Sequence, residues 1–433
     1  MSTGARAREL RVLIVTDQYE PMVGGVPTVT RDLARGLAGR GHAVAVVAPS
    51  ATRRGHRACG APGEVTVDFR GSVPWPWYEG QRLGVLRRAR ASELISGFGP
   101  DVVHLHSPLT LGAAARPAAR RRRVPVVYTN HYLPFNVWPA AARSGKTADA
   151  ARWTASRARD AAFYAYVTGF ANRCDLVTAP TATALRLLRQ HGLRAPSQAV
   201  SNGVDLDRFS PGAGGREEAR ALRSRYALPQ GRPLVLSVGR LSPEKRGEVL
   251  IAAVARLSRA HDTGAEDEGP VLVLAGTGPD EGRLRSLARH YGVADRVRFP
   301  GFIADDDLPG LYRLADVFAI ASQAELQSLV TMAAMASGLP VVAVDAGALA
   351  ELVHPGENGF LARPGNAREI ADSLGLLCRD ADLRARMSKA SSRIISGHDG
   401  HRLLGRWESI YRALASLETG DARGTVEQRN RRR

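Results

Sequence analysis

The stretch 321–340, ASQAELQSLVTMAAMASGLP, sets an acid, Glu325, ahead of a run that reads as a buried helix from Leu326 to Ala336. Gly338 and Pro340 end that run, and Val341–Val344 behind it reads as a strand. N–H groups in the first turn of a helix lack intrahelical partners, so Gln327, Ser328 and Leu329 offer backbone donors to an anion, most simply a phosphate. Two turns in, position 333 is an alanine. A second segment, Val238–Arg246, follows a strand and opens a helix while carrying Arg240 and Lys245. Cations are disfavoured at a helix start by the macrodipole, so their placement calls for an anionic partner.

Other candidates are single residues or glycine loops. His131 lies just past a strand, at the end of an open sheet where ligands bind, although a lone histidine there is also a common packed residue. His104 and His106 alternate along one strand and either line the site or pack; no carboxylate or cysteine joins them at ligand spacing, so no metal site is expected. Gly24 and Gly25 allow backbone to approach a phosphate, but their spacing is not the G-x-G-x-x-G of dinucleotide sites. Gly276 closes a later strand, and Phe302 and Ile303 follow the next.

The elements that must carry these residues form two halves of similar grammar. Strand-like runs at Val12–Thr16, Ala43–Ala48, Val102–His106 and Val124–Thr129 alternate with helical segments. The pattern repeats from Leu234–Val238 through Val271–Ala275, Val297–Phe299 and Val317–Ala319. Such alternation predicts parallel sheets covered on both faces. At 433 residues the chain is too long for one ordinary core, and a Gly-, Pro- and Asp-rich stretch at Val204–Glu217 marks the boundary. The expected units are residues 8–203 and 204–398, then a helix over 399–417 with Trp407 and Tyr411, and a polar, disordered tail over 418–433.

Composition sets outer bounds. The chain is 44% hydrophobic and 24% charged, as in globular proteins. No segment reaches the roughly 20 apolar residues of a membrane span, and Asp17 cuts the leading apolar stretch, so a cytoplasmic protein is expected. Three scattered cysteines, Cys59, Cys174 and Cys378, suit neither a disulfide framework nor a metal site. The net charge of +18 has two readings: an anionic partner, or an arginine-rich composition with no binding role. Nucleic-acid binding on charge alone lacks a module or an interleaved aromatic platform.

The segment from Glu325 to Ala343 resembles the E-x-F-G-L-x-x-x-E-A-M-A-x-G-x-P-V-V-A motif of family 4 glycosyltransferases, and G-R-L-x-x-x-K at 239–245 matches a second signature of that family. The resemblance spans nearly the whole chain and is strongest from Val235 to Pro364. It implies an α/β GT-B fold, two Rossmann-like domains facing a cleft with a C-terminal helix crossing back to the first. It also implies metal-free, retaining transfer of a sugar from a nucleotide diphosphate donor, which is a substrate rather than a cofactor. On this basis Glu325 and His131 contact the donor sugar, Arg240 and Lys245 neutralise the diphosphate, and Gly24 and Gly25 close onto it. Gly276, Phe302 and Ile303 approach the nucleotide, and Gly347 and Glu351 lie near the donor pocket. Ala333 stands where the family has a second glutamate that holds the ribose. A carboxylate lost from such hydrogen bonds costs about 1.5–3 kcal/mol, roughly ten- to a hundredfold in affinity.

The acceptor stays open between a lipid and a small metabolite. Residues between Trp138 and Phe170, including Arg143, Lys146, Arg152, Trp153, Arg157, Arg159, Phe163 and Tyr164, form a basic, partly amphipathic stretch. It suits either an anionic membrane or an ordinary solvated face over a core. Pro74–Tyr78 is equally an acceptor wall or a plain turn. A silent protein of the same fold, binding at a membrane, is the alternative that Ala333 raises.

Overall fold

The computed structural model describes residues 8–61, 63–75, 81–134, 150–212, 214–261 and 269–430. The chain divides into two compact units, Met1–Ser201 with His401–Arg433, and Asn202–Gly400.

In the first unit the strands are β1 (Arg11–Val15), β2 (Ala43–Pro49), β3 (His56–Ala58), β4 (Thr66–Arg70), β5 (Ser72–Pro74), β6 (Arg82–Gly84), β7 (Val102–Leu105), β8 (Val126–Thr129), β9 (Leu176–Ala179) and β10 (Ser197–Ala199). Eight of them form one sheet in the order β10-β9-β8-β7-β1-β2-β4-β3, parallel except for β3 at the edge. The central strands are continuous Val, Ile, Leu and Ala runs because helices cover both faces. Strand order reverses between β1 and β7, where Ile14 pairs with His104 and Val15 with Leu105. Open sheets bind ligands beyond the carboxyl ends of the strands at such a reversal.

The terminal helix, Gly400–Asn430, belongs to this unit. Its Leu403, Trp407 and Tyr411 pack into the core with Val12, Ile14, Leu37 and Val46. Residues 418–430, whose polar composition predicts a disordered tail, instead continue this helix. Extending a helix already anchored by packing avoids the nucleation cost, and Glu418, Ala422, Glu427 and Gln428 are good helix formers. The Tyr411 hydroxyl lies 2.7 Å from Nδ1 of His104, with both groups buried. Tyr411→Phe strands that nitrogen, and a loss of about 1–3 kcal/mol in urea-unfolding free energy is expected.

The second unit carries β11 (Leu234–Val238), β12 (Val271–Ala275), β13 (Val297–Gly301), β14 (Val317–Ile320), β15 (Val341–Val344) and β16 (Gly359–Ala362), all parallel in the order β13-β12-β11-β14-β15-β16. Its order reverses between β11 and β14. The loops after these two strands are thereby set side by side.

The basic stretch before Phe170 is partly described. Trp138, Arg143 and Lys146 lie outside the described residues, as do the side chains of Arg152 and Trp153. Along the helix Ala150–Ala171, Tyr164, Val167, Phe170 and Ala171 are buried, spaced as one core-facing stripe. The Arg116 guanidinium sits over the Phe170 ring at 4.9 Å. Of Pro74–Tyr78, residues 76–78 lie outside the described residues. Among the described residues no helix is long and apolar enough to cross a membrane.

Candidate active site

At the reversal point of the second unit, Lys245 ends a single 3-10 turn, Pro243–Lys245, that follows β11, while Glu325 follows β14. Eighty residues apart in sequence, the Lys245 Nζ donates to Glu325 Oε1 at 2.7 Å. The Glu325 side chain is 9% exposed and that of Lys245 35%. Burial works to raise the Glu325 pKa, but the Lys245 charge and hydrogen bond, with a further bond from Ser322, hold it below the usual carboxylate value. Glu325 is therefore ionised at neutral pH, an acceptor on every lone pair that Lys245 and Ser322 do not use. Its backbone is fixed as well: Ala348 N–H donates to the Glu325 carbonyl at 3.0 Å. A Cβ at Gly347, whose φ is +58°, would press on that same carbonyl. Arg240 is half-buried at the mouth of β11, its carbonyl accepting the Ser242 N–H at 3.0 Å.

The helix behind Glu325 begins later than its apolar run suggests. It spans Leu329–Ala336 rather than starting at Leu326, with Ser328 as N-cap accepting from the Thr331 N–H. Serine satisfies an orphan donor there, which leucine does not. The early amides of the helix are thus Leu329 and Val330, so that of the three expected donors Leu329 lies in the first turn and Gln327 and Ser328 precede it. Gln327 serves structure, its Oε1 accepting the Asn202 N–H at 2.8 Å. Ala333 is 6% exposed and packs within the apolar core of the unit. Beside β11, the Gly276 N–H donates to the Gly301 carbonyl at 2.8 Å, joining the Gly276 loop to the one bearing Phe302 and Ile303. Gly276 has φ +134°, and a Cβ there would collide with the Gly239 carbonyl, so the close approach of the Gly276 loop to the loop after β11 demands glycine. Phe302 is 61% exposed and Ile303 is buried. Glu351 closes a short 3-10 turn, Leu349–Glu351.

In the first unit, Asp17 follows β1, His106 follows β7 and His131 follows β8, a row across the reversal point. His131 Nε2 lies 2.9 Å from His106 Nδ1, with the two rings stacked at 11°. Burial pushes the His131 pKa down to about 4. Burial, His104 and His131 together push His106 well below the ordinary value. His104 has both nitrogens engaged, Nδ1 with Tyr411 and Nε2 with Thr129 at 2.6 Å, which leaves neither for a metal. Gly24 and Gly25 are exposed, Gly24 preceding the helix Gly25–Gly39.

Asp17 is a residue that sequence reasoning missed, read only as a break in an apolar run. It is 2% exposed; Thr110 Oγ1 donates to its Oδ1 at 3.0 Å, and Oδ2 has no partner among the described residues. Burial raises its pKa to about 6 against the pull of Ser107 and Thr110. Its position directly after the first strand was the available signal.

Residues 23–208 match the family described as Glycosyltransferase Family 4, and residues 218–393 match Glycosyl transferases group 1. A GDP-mannose-dependent alpha-mannosyltransferase of Mycobacterium tuberculosis is 32% identical over 409 residues, covering 93% of this chain and 97% of that protein. The chain belongs to the group 1, family 4 glycosyltransferases. A second relative of this glycosyltransferase, the GDP-mannose-dependent alpha-(1-6)-phosphatidylinositol monomannoside mannosyltransferase of M. tuberculosis, is 29% identical over 432 residues, 95% of this chain and 98% of that protein. Sucrose-phosphate synthase from Thermosynechococcus elongatus superposes with a TM-score of 0.73 at 20% identity, over 94% of this chain and 99% of that one. The glycosyltransferase has the GT-B fold, an α/β architecture of two parallel-sheet domains. It transfers a sugar from a nucleotide donor to an acceptor hydroxyl.

Proposed function

We propose that this glycosyltransferase moves a mannosyl group from GDP-mannose to a hydroxyl of an inositol-bearing phospholipid, with retention at the anomeric carbon and without a metal. The observation that carries the reading is the Lys245–Glu325 pair beside the helix Leu329–Ala336. It sets a cation and a partnered, ionised carboxylate together at one end of the sheet. The cation, with Arg240 and the first helix amides, stabilises the charge that grows on a departing diphosphate. The carboxylate accepts hydrogen bonds from sugar hydroxyls. The departing phosphate oxygen takes the acceptor proton on the same face, which removes the need for a second carboxylate as base. GDP-mannose and the inositol-bearing phospholipid are supported by the two mycobacterial relatives and by the positive charge of the chain.

The test is transfer from labelled GDP-mannose, UDP-glucose and UDP-N-acetylglucosamine to phosphatidylinositol vesicles and to soluble inositol phosphate, with and without EDTA, the product anomer read by NMR. An α-linked mannolipid formed in EDTA supports the reading. A β-product or loss in EDTA removes the retaining or the metal-free part.

Ala333 motivates a companion prediction. Ala333→Glu is expected to tighten GDP binding by about tenfold or more in calorimetry, because ribose hydroxyls then find a carboxylate. The same substitution buries a charge in an apolar core, so the ligand-free melting temperature is expected to fall. No turnover with any donor, together with no gain from Ala333→Glu, would favour a silent binding protein.

A further inference from the structure

We propose that His106 is a positioning residue for His131, orienting its imidazole with the proton on Nδ1. The proposal rests on the reading of His131 as a contact to the donor sugar. His106 Nδ1 and His131 Nε2 are 2.9 Å apart, and both rings are buried, at 1% and 8% exposure. Burial keeps both neutral, so each carries one proton and only one of the two facing nitrogens is a donor.

If His131 Nε2 donated, the proton of His106 would sit on its own Nε2. That atom is buried and has no partner among the described residues. An orphaned, buried N–H is rarer than an orphaned acceptor, so the other arrangement is preferred. His106 then donates from Nδ1 and leaves only a bare lone pair unpaired. His131 accepts at Nε2 and must carry its proton on Nδ1, where it serves as a donor. His104 cannot rescue the His106 Nε2, since Tyr411 and Thr129 occupy both its nitrogens. Ring centroids of His104 and His106 are 4.0 Å apart, and His104 packs on Trp407 at 4.7 Å, which confines the His106 ring. The neighbouring charged group, Asp17, follows the adjacent strand β1 and is held by Thr110.

The consequence is chemical. With Nδ1 protonated, His131 donates to a sugar hydroxyl or ring oxygen; with the proton on Nε2 it only accepts there.

The test is a long-range proton–nitrogen correlation spectrum of the chain labelled with nitrogen-15 histidine at pH 7.5, the His131 signals assigned by their loss in His131→Gln. The wild type is expected to show Nδ1 protonated. His106→Asp, which only accepts, is expected to move the proton to Nε2 and raise the His131 pKa. In transfer from GDP-mannose to phosphatidylinositol vesicles it should lose about ten- to a hundredfold in kcat, with donor KM changed less than about threefold and the acid limb of the pH profile shifted upward. His106→Asn retains an N–H donor and is expected to stay within about fivefold of wild type. Nε2 protonated in the wild type overturns the proposal, as does an unchanged kcat in His106→Asp with the proton moved. The wild-type spectrum decides the tautomer even if His106→Asp does not fold. A His131→Gln enzyme with wild-type kcat would instead remove the reading of His131 as a sugar contact, whatever the tautomer.

Discussion

Lys245→Met is expected to lower kcat by about a hundred- to a thousandfold while the protein stays folded. The drop follows from removing a preorganised cation from a developing phosphate charge, a loss of about 3–4 kcal/mol in related electrostatic sites. Stability should respond more weakly. Removing one partner of a fully buried ion pair costs about 3–5 kcal/mol. Because the Lys245 side chain is 35% exposed, water screens part of the interaction, and a loss nearer 1–2 kcal/mol is expected. Without its counter-charge the buried Glu325 is left to desolvation, which raises its pKa, so the deficit should shrink as the pH is lowered. Adding Glu325→Gln to Lys245→Met removes the stranded charge. The double variant is expected to recover stability relative to Lys245→Met and to recover no activity. Urea titrations and steady-state rates on the four proteins of the cycle check this. A Lys245→Met enzyme within twofold of wild-type kcat would sink the assignment of Lys245 to the diphosphate.

Acid should destabilise the first unit through its buried histidines. The folded pKa of His131 is about 4 and that of His104 about 3, both below the ordinary 6.5. Between the folded and unfolded values the unfolded chain binds more protons, so stability rises with pH across roughly 4 to 6.5 and is lost as pH falls through that window. His131 alone contributes about 3 kcal/mol. Asp17 acts in the opposite direction. Its folded pKa of about 6 exceeds the ordinary 3.8, so the folded state binds more protons there and stability falls as pH rises from about 4 to 6, by about 3 kcal/mol. His131 and Asp17 nearly cancel, and His104 with His106 decide the sign. A net gain in urea-unfolding free energy from pH 4.5 to 7 is expected. Asp17→Asn keeps an acceptor for Thr110 and removes the opposing group, so it should stabilise at pH 7.5 and change little at pH 4.5. A stability profile of the first unit that falls over this range would show that the histidines are solvated.

Much of the architecture follows from local pattern. Runs such as VLIV at 12–15 and VLVLA at 271–275 must be doubly covered parallel strands, since nothing in them is polar enough to face water. Short strands were less legible: β3 is fully exposed and antiparallel, held by pairing to β4 rather than by any apolar signal of its own. The start of the helix Leu329–Ala336 misled because Leu326 continues the apolar run, whereas the boundary is set by the Ser328 cap. The terminal helix outran its apolar stripe because propagation, unlike nucleation, needs no further packing.

Residue types and spacing predicted two doubly covered parallel-sheet units and an anion-suited region around Arg240, Lys245 and Glu325, and the resemblance to family 4 glycosyltransferases added the nucleotide-sugar chemistry and the alanine at 333 in place of a glutamate. They carried no information on which of these side chains touch. That Lys245 and Glu325 pair depends on strand order, which lays the loops after β11 and β14 together at a reversal of the sheet. The stacking of His106 on His131, and the burial that keeps both neutral, depend in the same way on β7 and β8 being neighbours in register. Periodicity along a chain reports which face of an element is buried, because that is a local property. Contacts between side chains many residues apart are created by the order in which strands assemble, and only the folded sheet decides it.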